Sequence, residues 1–69
     1  MTDKVTYVQY ALPAGGLRTL FLGNALTVAE VQAGIRSALT EAAMDNGDNP
    51  VVRVVDGDTV LYQAKVARP

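Results

Sequence analysis

Cysteine, histidine and tryptophan are all absent from this sequence. Without cysteine there is no disulfide and no thiolate nucleophile. Without histidine as well, zinc sites of the usual kind and histidine-based acid–base or triad mechanisms are excluded. Long apolar runs are missing too, and none approaches the roughly 20 residues that a membrane-spanning helix needs. The opening Met1-Thr2-Asp3-Lys4 mixes charges and lacks the apolar core of a signal peptide. A cytoplasmic location with no membrane contact is therefore expected.

Charge of one sign is also lacking. Six basic residues face seven acidic ones, for a net charge of −1. Release of counterions from phosphates needs clustered cations. Here Lys4, Arg18, Arg36, Arg53, Lys65 and Arg68 are scattered, which argues against nucleic-acid binding, and the chain is not acidic enough to imitate DNA.

What is present fits one domain over residues 1–69. Chains of about 60 residues bury only some 60% of their unfolded surface, so such a domain is marginal and leans on good local structure, tight packing or oligomerisation. Lys4 to Leu12 is rich in β-branched and aromatic residues, a strand signature. Pro13-Ala14-Gly15-Gly16 is turn chemistry, and Leu17 to Leu22 resumes the strand, so the two segments predict a hairpin.

The strongest local signal follows. Thr27-Val28-Ala29-Glu30 fits a capping box, with Leu26 and Val31 placed as a hydrophobic staple. Val28, Val31, Ile35, Ala38, Leu39 and Ala42 then form one apolar stripe at helical spacing. Glu30, Gly34, Ser37 and Glu41 are expected on the opposite side. Gly34 costs about 1 kcal/mol against alanine inside a helix, which leaves either simple tolerance or a close approach. Asp45-Asn46-Gly47 ends the helix, with Asn46 or Gly47 suited to a left-handed conformation. Asp48-Asn49-Pro50 reads as loop, Val51 to Val55 as a strand, Asp56-Gly57 as a type I′ turn, and Thr59 to Val66 as the last strand.

The predicted fold is α+β, in the order ββαββ: a four-stranded sheet with one helix packed on one face. In the last strand Val60, Tyr62, Ala64 and Val66 alternate as a single covering helix requires. The first hairpin does not behave this way. Val5 and Tyr7 share one face and Val8 and Tyr10 the other, while Leu17 and Phe21 oppose Leu20 and Leu22. One helix cannot bury both faces, so some of these side chains should stay exposed. They either lie singly at sheet edges or form an interaction surface. The candidate contact residues are Val8, Tyr10 and Arg18, with Leu17 or Leu20 according to register.

Other motifs carry less. Asp45-Asn46-Gly47-Asp48-Asn49 resembles the start of a calcium loop, but positions six and twelve hold Pro50 and Asp56, where an EF-hand needs glycine and glutamate. Asp56 and Asp58 are expected to be solvated beside a tight turn rather than to share a cleft that shifts their pKa values. Pro13 to Gly16 lacks the Gly-Lys-Ser/Thr of a phosphate loop. Thr27, Ser37 and Thr40 have no base nearby in sequence. No catalytic, cofactor-binding or metal-binding residue is assigned. Tyr7, Tyr10 and Tyr62 fit protein anchoring better than base stacking.

The order of elements, together with Leu26-Thr27-Val28-Ala29-Glu30-Val31 leading into the helix, resembles the β-grasp (ubiquitin-like) superfamily. The resemblance implies a hairpin and final strand side by side under a helix. Modifiers and sulfur carriers of that family act through a C-terminal diglycine, whereas this sequence ends Val66-Ala67-Arg68-Pro69. What the resemblance implies here is a non-covalent binding domain, and a plain antiparallel ββαββ sheet that dimerises fits the same order. The expected function is a non-enzymatic protein–protein interaction module, such as a small bacterial or phage accessory or regulatory protein. Its partner is another protein or a second copy as a homodimer. The alternatives are a structural self-assembling protein and, behind it, a dimeric nucleic-acid-binding regulator.

Overall fold

The computed structural model describes residues 4–67; Met1 to Asp3, Arg68 and Pro69, used in reading the two ends of the sequence, lie outside them. The elements are β1 (Lys4–Ala11), β2 (Leu17–Asn24), α1 (Val28–Met44), β3 (Asp48–Asp56) and β4 (Thr59–Lys65). They form one sheet in the order β2-β1-β3-β4. All three pairings are antiparallel. This is the α+β, ββαββ architecture expected, in its plain antiparallel form: β3 stands between the first hairpin and the final strand, which the β-grasp resemblance implies side by side.

Local chemistry explains the turns. Leu12 closes the first loop by accepting from the Gly15 amide and donating to the Gly16 carbonyl, at 3.0 and 3.1 Å. Gly15 and Gly16 both take positive φ, 96° and 87°, which a side chain would oppose. The second turn differs from expectation. Asp56 pairs with Thr59, so Gly57 and Asp58 are the central residues. Only Gly57 has positive φ, 60°. Glycine in first place with a right-handed second residue is the pattern of a type II′ turn, whereas type I′ needs positive φ at both.

Asp48-Asn49-Pro50, expected as loop, belongs to β3. The strand tolerates its proline because pairing with β1 is irregular there: the register shifts between Gln9 and Ala11, Asn49 sits at φ 53°, and a bulge spares Pro50 the need for an N–H. Its carbonyl accepts from Val66, at 2.9 Å.

At the start of α1 both halves of the capping box form. The Glu30 amide donates to Thr27 Oγ1 at 3.2 Å, and the Thr27 amide donates to Glu30 Oε1 at 3.0 Å. The bond from the Thr27 amide, and after it the Thr27 side chain, hold the Glu30 carboxyl below its ordinary pKa. The helix ends in a Schellman motif: Asn46 N–H bonds Ala43 O and Gly47 N–H bonds Ala42 O. Asn46, with φ 57°, is the left-handed residue. Gly47 serves another purpose, since a Cβ there would lie 2.1 Å from Tyr10 Cδ2. Glycine is what lets the Tyr10 ring pack against this turn.

The core lies between α1 and one sheet face, with Val8, Ala38 and Val52 buried and Leu20, Leu22, Ile35, Ala64 and Val66 packed around them. Two expectations about the helix change. Val28 is exposed rather than part of the buried stripe. Gly34 faces the sheet, not solvent: a Cβ on it would meet the Leu22 side chain at 3.0 Å. Spacing alone gives the width of the stripe, whereas the helix's roll toward β2 decides which flank it includes. The close approach is thus the reading of Gly34 that holds.

Candidate functional site

In a strand successive side chains alternate between faces, so the face taken by α1 decides the fate of the whole first hairpin. The helix takes the face of Thr6, Val8 and Tyr10, all buried, and Tyr10 is 0% exposed. Val8 and Tyr10 were expected as contact residues and are instead core. The remaining candidates disperse. Leu17 is exposed on the open face, Arg18 is exposed on the helix side, and Leu20 is half-buried against the core. Alternation shows which residues share a face but not which face the helix covers.

Tyr10 and Arg18 have a structural task. The Tyr10 hydroxyl donates to Asp45, the C-cap of α1, and Arg18 Nη1 lies 3.5 Å from the same carboxylate. Together they tie the end of the helix to β1 and β2. Burial, then the hydrogen bond to Asp45, then its negative charge push the Tyr10 pKa up to about 12.

The open face carries a different pattern. Gln9 donates to Thr19 Oγ1 at 2.9 Å, Arg53 Nη1 donates to Gln9 Oε1, and Arg53 Nε donates to Gln63 Oε1 at 2.7 Å. Thr19, Gln9, Arg53 and Gln63 stand on β2, β1, β3 and β4, so the row crosses the whole sheet. Beside it the rings of Tyr7 and Phe21 meet edge to face at 6.0 Å. These polar groups satisfy one another, which lets the face stand open to water without orphaned donors.

The largest uninterrupted exposure lies elsewhere. α1 packs against β1, β2 and β3 but not β4, and β4 is an outer strand of the sheet. Val60, Leu61 and Tyr62, consecutive on that strand, are 52%, 49% and 57% exposed. They were expected to follow the simple alternation of a covered strand. A bulge overturns this: Val60 pairs with Val55 and Tyr62 with Val54, so Val60 and Leu61 together oppose one residue. Val60 consequently belongs to the open side and Tyr62 to the helix side. The run Val60-Leu61-Tyr62 was visible in the sequence; the extra residue that breaks its alternation was not.

Between β2 and α1 runs an open cleft of about 320 Å³, lined by Leu20, Leu22, Gly34, Ala38 and Glu41 among others. Among the described residues no three Asp or Glu side chains gather to hold a metal ion. Asp56, expected to be solvated, is half-buried, and its Oδ1 has no hydrogen-bond partner. Asp58 is exposed. No described helix is long and apolar enough to cross a membrane. Comparison with protein-family models, with curated proteins and with solved structures yields no match.

Proposed function

We propose that this chain is a non-enzymatic protein-interaction module of the small accessory or regulatory kind, and that it makes contact through the outer edge of β4. One observation carries the reading: three consecutive apolar side chains lie exposed on an outer strand that the helix does not reach. An outer strand offers unpaired backbone N–H and C=O groups to another chain, and alternate side chains give such a contact its selectivity. A cytoplasmic setting and a bacterial or phage origin remain part of this reading, drawn from composition and size.

The test is site-specific photo-cross-linking in the source cell, with the reactive side chain placed at Leu61 or, as control, at the exposed Glu30. The expected result is a discrete protein adduct from Leu61 and none from Glu30. Equal, diffuse labelling from both positions contradicts the proposal.

A further inference from the structure

We infer that the β4 edge binds a second copy of this chain, strand against strand and antiparallel, about a two-fold axis beside Tyr62. The two four-stranded sheets would then run on as one sheet of eight strands. The inference rests on the proposed interaction role and names its partner.

Charge and register argue for a second copy. β4 reads Thr-Val-Leu-Tyr-Gln-Ala-Lys and follows directly on Asp58. It contains no proline, and no charged residue stands between Asp58 and Lys65. An antiparallel contact between two copies lays the acidic start of one strand beside the basic end of the other. In a two-fold contact, residues directly opposite must point to the same face. With the bulge pair Val60–Leu61 counted as one position, as β3 counts it, pairing centred on Tyr62 meets that condition. Tyr62 then faces Tyr62 of the second copy, Gln63 faces the bulge, Ala64 faces Thr59, and Lys65 faces Asp58. Asp58 and Lys65 are both exposed and make no ion pair within the chain among the described residues. Symmetry forms the Lys65–Asp58 pair twice.

The other surfaces lack this self-complementarity. β2 bears Arg18 and no acid, and Arg18 is already engaged with Asp45. The middle of the open face is the hydrogen-bonded row of Thr19, Gln9, Arg53 and Gln63, whose polar groups are already satisfied within the chain. Tyr62 lies on the side of the sheet where α1 leaves β4 uncovered, so pairing at this edge sets the two Tyr62 rings in the trough between the two helices.

Sedimentation equilibrium over a concentration series up to about 1 mM, on the intact chain, tests the inference. The wild type should sediment as a dimer toward the top of the range. Tyr62→Lys sets two cations against each other at the axis and should leave monomer throughout. Lys65→Asp and Asp58→Lys should each weaken the dimer about tenfold, because each reverses both ion pairs. The double variant, Asp58→Lys with Lys65→Asp, should recover the wild-type constant. Circular dichroism checks that each variant is folded, and should Tyr62→Lys fail to fold, the charge-swap set alone decides. Wild type that stays monomeric, or a double variant no better than the single ones, overturns the inference. The cross-linking at Leu61 separates this failure from that of the broader role. Adducts with a different protein alone leave an interaction module without self-pairing, and no adduct removes both.

Discussion

The two outer strands of the sheet, β2 and β4, are both rich in apolar residues, yet they meet different neighbours. β2 lies beside the helix. Its Leu20 and Leu22 pack on the core, Gly34 lets the helix come down onto Leu22, and Arg18 is tied to the helix C-cap at Asp45. On β4 only Ala64 packs on the core, and Val60, Leu61 and Tyr62, beyond the reach of the helix, stay about half-exposed. Hydrophobicity of a strand therefore does not decide whether its side chains are covered. The tilt and roll of a single helix do, because one helix is too narrow to cover four strands.

The largest expected effect breaks the anchored side of this contrast. Tyr10→Ala empties the pocket against Gly47 and leaves Asp45 without its tyrosine, and burial losses of this kind cost about 3–5 kcal/mol. A domain of this size holds only some 3–10 kcal/mol in total, so urea denaturation should find the midpoint lowered by roughly a third or more. Next, Gly34→Val should prise α1 off β2. Overpacking against Leu22, joined to a β-branched residue in a helix, is expected to lower stability by about 1–3 kcal/mol in the same assay.

Tyr10→Phe keeps the ring and removes only the hydroxyl, with an expected loss of about 1 kcal/mol at neutral pH. It also carries a pH signature. The folded protein holds the Tyr10 proton to about pH 12, while an unfolded tyrosine releases it near pH 10. The unfolded chain then binds fewer protons, so the stabilisation is complete below about pH 10 and is lost as pH rises toward 12. Thermal unfolding across that window should show the decline in wild type and a shallower one in Tyr10→Phe. The smallest effect belongs to the other edge: Tyr62→Lys should change monomer stability by no more than about 0.5 kcal/mol, measured at a concentration where no dimer forms.

Much of the fold was legible in the residues themselves. Pro13 to Gly16 punctuates the first hairpin, Thr27 and Glu30 mark the helix start by chemistry local to one turn, and Asn46 supplies its left-handed end. The proposed contact edge was not legible, for two physical reasons. Strand parity groups Val8 with Tyr10 and Tyr7 with Val5 but is blind to which group the helix covers, and this turned two expected contact residues into core. A one-residue bulge at Val60–Leu61 then reverses the parity of half of β4, and nothing in the run Thr59-Val60-Leu61-Tyr62 announces where the extra residue falls. The asymmetry between the two edges arises only when the helix is laid on the sheet.

The most direct test of that asymmetry is backbone hydrogen exchange, resolved by segment and measured at low and at high protein concentration. If β4 is the contact edge and β2 is not, protection should rise with concentration over residues 59–65 and stay constant over residues 17–24. Protection that rises in β2 instead, or in neither strand, would contradict the assignment of the interface to β4.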